Sequence, residues 1–228
     1  MDRRLRFHSD PGHRYSYSGE GFNLIQFILE QGLGLDVGKE MQTRVFDRFG
    51  MINTSMSWRA DFATNVADGY ALDGSVRLHV ERRRAGAAGS MDTTIADQAR
   101  LWTGITGGRG LSPALRTELV CPQQPILSRH QFLTLMTETE PKYAKIGLAA
   151  GLGLVTFQDT SGPAWLKGGH DDWTGNMIIC LEGKKRCLAM LSNDVRAERI
   201  YPALAQMILG KTRMPWKWEY SWLDVPCS

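Results

Sequence analysis

Residues 151–192, GLGLVTFQDTSGPAWLKGGHDDWTGNMIICLEGKKRCLAMLS, decide the fold. They contain three short apolar segments, residues 151–157, Gly175–Leu181 and Arg186–Ser192. Each segment is bounded by turn residues, which is typical of β-strands. The sequence therefore predicts a three-stranded antiparallel meander.

An amphipathic helix is predicted directly after the meander, over residues 197–209. Its apolar side chains Ile200, Leu204, Met207 and Ile208 fall on one side, and a glycine follows the last of these turns. A helix with one apolar face is stable when that face covers a sheet. We therefore expect this helix to close the sheet.

The part of the chain before the meander carries mainly helical signals. Apolar residues recur at helical spacing over residues 22–29, and two glycines end the pattern. Asp36 has the character of an N-cap, and Thr94 begins a capping-box pattern in which Asp97 reaches back to the helix N-terminus. The combination of helices and an antiparallel sheet predicts an α+β fold.

We expect a single domain over residues 1–228. Residues 1–146 form its mainly helical part, residues 147–210 its sheet strands and closing helix, and residues 211–228 an aromatic tail. The tail alternates in the manner of a strand with one apolar face, which favours a packing or partner surface over a carbohydrate site. The alternating aromatic residues are Trp216, Trp218, Tyr220 and Trp222.

Composition argues against several classes of function. The chain has 43% hydrophobic and 22% charged residues and a net charge of +3, which favours neither disorder, a membrane span nor nucleic-acid binding. The basic cluster Arg82–Arg84 precedes an Ala/Gly-rich stretch and is predicted to be a solvated loop. Residues 1–6 include four charged residues and no apolar stretch, so they carry no export signal and the compartment stays open.

The cysteines indicate no metal or cofactor. The four residues Cys121, Cys180, Cys187 and Cys227 form no CxxC pair and have no histidines at metal-ligand spacing. Cys180 and Cys187 flank a predicted hairpin turn. We interpret them as two small buried side chains, with a disulfide as the alternative.

Two short segments have the character of a catalytic site. Tyr17 lies on a turn-rich loop before a helix, where the helix dipole and a nearby ammonium would lower its pKa and suit it to act as a base. Lys167 is followed by Gly168 and Gly169, whose backbone N–H groups on an edge strand would be open to a bound carbonyl. Together, the two segments suit acyl transfer.

Plainer interpretations exist for each segment. Tyr17 alone is compatible with an ordinary half-buried tyrosine, and Lys167 with a surface charge beside a turn. His170, Asp171 and Asp172 would form a metal cluster only if they converged, and adjacent residues of a strand or tight turn point in different directions. We therefore expect no metal there.

The order of further segments resembles a known family. The chain is similar to the C-terminal part of serine β-lactamases and penicillin-binding proteins, including class C β-lactamases, their esterase relatives and D-alanyl-D-alanine carboxypeptidases. Tyr17-Ser18-Gly19 resembles the Tyr-Ser-Asn-like triplet of that family, and Lys167-Gly168-Gly169 resembles its Lys-Thr-Gly or His-x-Gly triplet. The other similar segments are VFDRFGM at 45–51, the small polar residues 53–55, the 88–100 stretch and LGL at 152–154.

The resemblance implies a partial β-lactamase/transpeptidase-like fold and an acyl-enzyme mechanism on a small ester, amide or peptide substrate. Tyr17 would be the general base, and Lys167 would supply positive potential. Gly19, Gly168, Gly169 and His170 would contribute substrate and oxyanion contacts. Gly19 stands where the family often has asparagine, so we do not expect β-lactam hydrolysis.

No Ser-x-x-Lys sequence occurs in residues 1–228, although the resemblance implies a serine nucleophile in such a motif upstream of the tyrosine. We therefore expect the chain to lack the nucleophile segment and to be inactive as given. Two alternatives remain: a nucleophile-free pseudoenzyme or binding module, and a fragment that pairs its open sheet edge with the missing N-terminal half.

Overall fold

The computed structural model describes residues 6–132 and 141–224. Cys227 and the end of the aromatic tail lie outside these residues. The strands are β1 (Gly69–Tyr70), β2 (Val76–Arg77), β3 (Gln124–Pro125), β4 (Ala149–Ala150), β5 (Val155–Asp159), β6 (Gly162–His170), β7 (Gly175–Leu181) and β8 (Arg186–Ser192). The α-helices are α1 (Gly19–Phe27), α2 (Val37–Met41), α3 (Asp47–Phe49), α4 (Ile95–Thr106), α5 (Pro113–Val120), α6 (Tyr201–Leu209) and α7 (Trp216–Glu219).

Single turns of other helix types connect several of these elements. The π-helical turns continue α1 and α2, and they are Ile28–Gly32 and Gln42–Phe46. The 3-10 turns are Ala60–Thr64, Pro141–Ile146, Glu182–Lys184, Val195–Ile200 and Ser221–Asp224. The α+β fold class is therefore confirmed.

The main sheet is antiparallel and has six strands in the order β3-β4-β5-β6-β7-β8. The predicted bounds of β7 and β8 are confirmed, but the expectation of only three strands was wrong. The first strand begins at Val155 and not at residue 151, because Gly151 N donates to Leu154 O and closes a tight turn through Gly153, whose φ is +82°. The strand Gly162–His170 runs between β5 and β7.

Both faces of the sheet are covered. One face carries a core that includes Leu166 and Ile179 and packs against α6 and the tail. The other face carries Trp165 and Ile178 and packs against α4 and α5, with the Trp102 ring 5.2 Å from the Trp165 ring. A strand that is buried on both faces has no alternation of polar and apolar residues. This explains the nearly continuous apolar sequence of β7, GNMIICL.

The hairpin β7–β8 is cross-linked. Cys180 and Cys187 are direct partners in the register and form a disulfide, with their Cα atoms 4.1 Å apart. This Cα separation is typical of a pair that exchanges no backbone hydrogen bonds, where side chains come closest. The preferred expectation of two unlinked cysteines was therefore wrong, and the disulfide alternative describes the structure.

The N-terminal helices have the predicted caps. Asp36 Oδ1 accepts from Lys39 N at 3.0 Å, and Thr94 Oγ1 accepts from Asp97 N at 3.3 Å. Asp97 itself does not reach back to its own helix as predicted. Its buried carboxylate accepts from Asn53 N at 2.7 Å and from Thr54 Oγ1 at 2.8 Å, so it ties α4 to the turn after α3.

The closing helix is rotated relative to the prediction. Tyr201, Ala205 and Leu209, spaced four apart, are the buried residues of α6, whereas Met207 is 81% exposed. The Tyr201 hydroxyl donates to Gly175 O at 2.6 Å, which places this side of the helix on β7. Of the predicted apolar face, Leu204 packs against the core, whereas Ile200, Met207 and Ile208 are exposed and were assigned wrongly.

The aromatic tail is helical where a strand was expected. Residues 216–219 form α7 and residues 221–224 a 3-10 turn, and Trp218 and Tyr220 are almost completely buried in the core below the sheet. No helix in the part of the chain that the structure describes is long and apolar enough to cross a bilayer.

Candidate functional site

Tyr17 lies at the end of the loop that leads into α1. The next residue, Ser18, is the N-cap, with an extended backbone and an Oγ that accepts from Gly21 N at 3.0 Å. This cap fixes the direction in which the loop enters the helix, and so it fixes the position of Tyr17. The half-buried ring of Tyr17 meets Phe132 edge-on, with the ring centroids 5.3 Å apart.

Lys167 approaches the same tyrosine from the sheet. Its Nζ lies 5.5 Å from the centroid of the Tyr17 ring and donates a hydrogen bond to the carbonyl of Gly168. The fold thus brings together the two side chains that the sequence analysis singled out as candidate catalytic groups, although they are far apart along the chain.

The strand end that carries Lys167 is open on one side. Strand β5 pairs with β6 as far as Leu166, opposite Val155, whereas β7 continues along β6 to His170, opposite Gly175. The backbone of residues 167–170 therefore has a strand on one side only. The expectation of an edge strand was wrong for β6 as a whole, because only this end of it extends past β5.

The three candidate glycines differ in their surroundings. A Cβ added at Gly19 would lie 3.6 Å from Ala88 Cβ, an ordinary contact, so this position can hold a side chain. A Cβ at Gly169 would meet nothing within 4 Å. A Cβ at Gly168 would lie 1.9 Å from Glu219 Oε1, so a side chain here would require Glu219 to move.

His170 ends β6 and faces protein groups. Its ring stacks on Phe132 with centroids 4.6 Å apart, and its Nδ1 lies 3.0 Å from Glu198 Oε1. Burial alone would lower the pKa of His170, but the hydrogen bond and negative charge of Glu198 outweigh it and raise that pKa. The neighbouring Asp171 caps its own turn, since its Oδ1 accepts from Trp173 N at 2.8 Å.

The ionisation of Tyr17 differs from the expectation. Burial and the nearby charge of Glu219 raise the pKa of Tyr17, so the predicted lowering by a helix N-terminus and an ammonium is wrong for this chain. Burial lowers the pKa of Lys167, and the charge of Glu219 opposes that effect. In this chain Tyr17 is therefore protonated at neutral pH.

Three side chains of this region were missed by the sequence analysis: Phe132, Glu198 and Glu219. Phe132 and Glu198 carry no local signal, because their contacts with His170 depend on the tertiary fold. Glu219 had a weak one, since it is the only acid among the alternating aromatic residues 216–222.

Two surface cavities lie elsewhere. They measure about 430 and 220 Å³, and Thr117 and Glu182 line both, at the end of the β6–β7 pair away from His170. Neither Tyr17 nor Lys167 lines these two cavities. Among residues 6–132 and 141–224, no three His, Cys, Asp or Glu side chains are grouped so as to hold a metal ion.

Several solved structures share this fold. A penicillin-binding protein from Bacillus halodurans is similar with a TM-score of 0.68 and 19% identity over 87% of this chain and 58% of that chain. The octameric penicillin-binding protein homologue from Pyrococcus abyssi has a TM-score of 0.66 and 17% identity, with 89% and 44% of the two chains covered. The D-amino acid amidase from Ochrobactrum anthropi SV3 has a TM-score of 0.61 and 21% identity, with 82% and 51% covered.

The chain thus spans about half the length of these structures, and at such identities the likeness shows the fold alone. A search of curated protein sequences found no match. The sequence model of the beta-lactamase family, however, matches residues 3–209, which is most of the chain. The β-lactamase/transpeptidase-like fold is therefore confirmed, and this chain belongs to the beta-lactamase family.

Proposed function

We propose that this chain forms the tyrosine-and-sheet half of a serine hydrolase that attacks an ester or amide carbonyl through an acyl-enzyme. The observation that carries the proposal is the approach of Lys167 Nζ to the Tyr17 ring, 5.5 Å from its centroid, beside a strand end open on one side. In a member of the beta-lactamase family, these are the groups expected to act on the nucleophile and on the carbonyl.

In this mechanism, a serine from a segment outside residues 1–228 attacks the carbonyl carbon. Tyr17 takes the serine proton and later returns a proton to the leaving group, and Lys167 stabilises the negative charge that develops nearby. A backbone N–H at the open strand end, near Gly169 and His170, helps bind the oxyanion. Water then hydrolyses the acyl-enzyme, so the products are an acid and an alcohol or amine.

The raised pKa of Tyr17 bears directly on this role. A tyrosine is a useful base only if a neighbouring cation lowers its pKa toward neutrality, whereas in this chain burial and the charge of Glu219 raise the pKa of Tyr17. We propose that the segment with the serine also brings a second cation, the lysine of the Ser-x-x-Lys pattern, to the tyrosine.

Pairing with that segment is the second part of the proposal. The outer edge of β8 has no strand partner among the described residues, and seven residues in extended conformation are long enough to bind another strand. We propose that the complementary half of the fold adds to this edge.

The test uses the purified chain and a version extended upstream in its source DNA. Both are treated with a fluorophosphonate serine probe and a chromogenic short-chain ester. We expect labelling and turnover of the extended form only, with Tyr17→Phe and Lys167→Ala lowering turnover by about 100-fold or more. Tyr70→Phe, which changes a tyrosine outside the site, is the matched control.

A binding module without a nucleophile is the alternative. The raised pKa of Tyr17 and the glycine at position 19 favour it, because a neutral hydroxyl and an open backbone suit binding of a polar ligand without catalysis. Absence of labelling in both forms would support this alternative. Labelling of the chain as it stands would show that residues 1–228 contain a reactive serine, contrary to both proposals.

A further inference from the structure

The segment after α6 lies beyond the part of the chain that matches the family, which ends at residue 209. It is nevertheless built into the fold. Arg213 N donates to Asp159 Oδ1 at 2.7 Å, and Gln131 N donates to Trp218 O at 2.8 Å. Trp218 is completely buried, so the tail forms part of the core beneath the sheet.

This tail places a carboxylate against the strand of the candidate site. Glu219 is 2% exposed and is the last residue of α7. Its Oε1 occupies the space that a side chain at Gly168 would need, and its Oε2 is buried with no hydrogen-bond partner in the described residues. A buried carboxylate oxygen without a donor is costly, and such a group is kept where its charge or its proton has a use.

A second buried acid, from the 3-10 turn before α6, packs against the neighbouring strand in the same way. Glu198 fills the space at Gly175, where an added Cβ would lie 2.6 Å from Glu198 Cγ. Gly175 is the register partner of His170, whose Nδ1 contacts Glu198 Oε1. Two glycines on adjacent strands thus leave room for two carboxylates behind the strand end that begins at Lys167.

We propose that Glu219 is a positioning residue of the candidate site. It holds the Lys167–His170 strand end from behind and stabilises the positive charge of Lys167 and His170, so that the tail controls the charge of the site without touching substrate. The relevance of that charge to catalysis rests on the proposed function, whereas the electrostatic coupling does not.

The pKa values agree with this geometry. Burial raises the pKa of Glu219 to about 7, although the positive charges of His170 and Lys167 lower it. In turn, the charge of Glu219 raises the pKa of Lys167 against burial, and it adds to the effect of Glu198 on His170. The titratable groups that face this cluster are Tyr15 and Tyr17 on the loop, Lys167 and His170 on β6, Asp171 in the following turn, Glu198 before α6, and Tyr220 in the tail.

The test is an NMR titration of the chain as it stands. Lysine Cε and histidine Cε1 signals are followed against pH in the wild type, in Glu219→Gln and in Glu118→Gln, whose glutamate is exposed on α5. Lys167→Arg assigns the lysine signal. We expect Glu219→Gln to lower the pKa of Lys167 by about one unit, with a smaller decrease at His170, and Glu118→Gln to change neither.

A merely structural role for Glu219 would leave both pKa values unchanged in a folded Glu219→Gln protein, and that result overturns the proposal. If the variant does not fold, the pH titration of the wild type still tests the proposal. The signal of its Glu219 carboxyl carbon must titrate together with a change in the Lys167 or His170 signals. Titration of Glu219 without such a change would also overturn the proposal. Probe labelling of the extended chain tests the catalytic proposal separately.

Discussion

Gly168 lies in the candidate site and also packs against a buried side chain of the core. A methyl group there would lie 1.9 Å from a carboxylate oxygen that is itself buried, so Glu219 or the strand must move. We expect Gly168→Ala to lower the free energy of unfolding by about 1–3 kcal/mol, as overpacking of a close contact does. Urea denaturation followed by circular dichroism measures the change.

The next residue of the strand is the matched control. Gly169→Ala adds the same methyl group where nothing lies within 4 Å, so we expect its stability to stay within about 0.5 kcal/mol of wild type. Removing the obstacle should restore much of the loss, so Gly168→Ala combined with Glu219→Ala should be less than additive. Equal stability of the two alanine variants would show that Glu219 does not occupy this space.

Glu219 also makes stability depend on pH. Its pKa rises from 4.5 to about 7 on folding, so the stability linked to its protonated form is complete below pH 4.5 and is lost as the pH rises through 7. Because glutamine has the same shape without the ionisation, Glu219→Gln should gain stability relative to wild type across this range, by about 3 kcal/mol at most. Urea midpoints at pH 4.5 and 8 measure it, and a difference that does not vary with pH would contradict the buried ionisation.

At the level of single residues, sequence could identify local roles and not long-range ones. The caps at Asp36 and Thr94 were predictable because the donor lies within three residues of the acceptor. Asp97 was placed in the right helix but bonds to Asn53 and Thr54, more than 40 residues away in the sequence. Only the tertiary fold determines such partners.

Among the elements, the β7–β8 hairpin offers the sharpest prediction. The Cys180–Cys187 disulfide joins residues seven positions apart, and such a short loop limits the entropy that the cross-link removes from the unfolded chain. We expect replacement of both cysteines by alanine to cost about 2 kcal/mol of unfolding free energy, and dithiothreitol to cost the wild type the same. The unfolding midpoint of Cys121→Ala, which removes the free thiol of the described residues, should keep its full sensitivity to dithiothreitol.

Element boundaries were predictable where turn residues surround an apolar run, as at Gly175–Leu181. Strand Gly162–His170 has glycines within it, and they obscure its pattern although the fold places it inside the sheet. Three of the four residues predicted for the buried face of α6 are exposed, because apolar residues surround this helix on nearly every side. Its rotation is set by contacts such as Tyr201 to Gly175, which no helical periodicity encodes.

For the whole molecule, much apolar surface is left uncovered by the described residues. The helix α1 exposes Phe22, Ile25 and Phe27, and Met207 on α6 is 81% exposed. A chain that spans about half the length of similar structures would show such faces if the other half normally covers them. Sequence analysis predicted an open sheet edge, and the unpaired side of β8 has that character.

Hydrogen exchange distinguishes an unpaired sheet edge from one that is paired with another strand. In the isolated chain, the N–H groups of β8 that point away from β7 have no strand partner in the described fold, so we expect them to exchange much faster than those of β7, which lies between two strands. In the version extended upstream, the same β8 amides should become protected while β7 changes little, because a strand added at the edge supplies acceptors only there.

Protection that appears on α1 and α6 but not on β8 would mean that the additional segment covers the helices without extending the sheet. Unchanged exchange throughout would contradict complementation, and the exposed faces would then belong to a different partner or to the surface of a binding module.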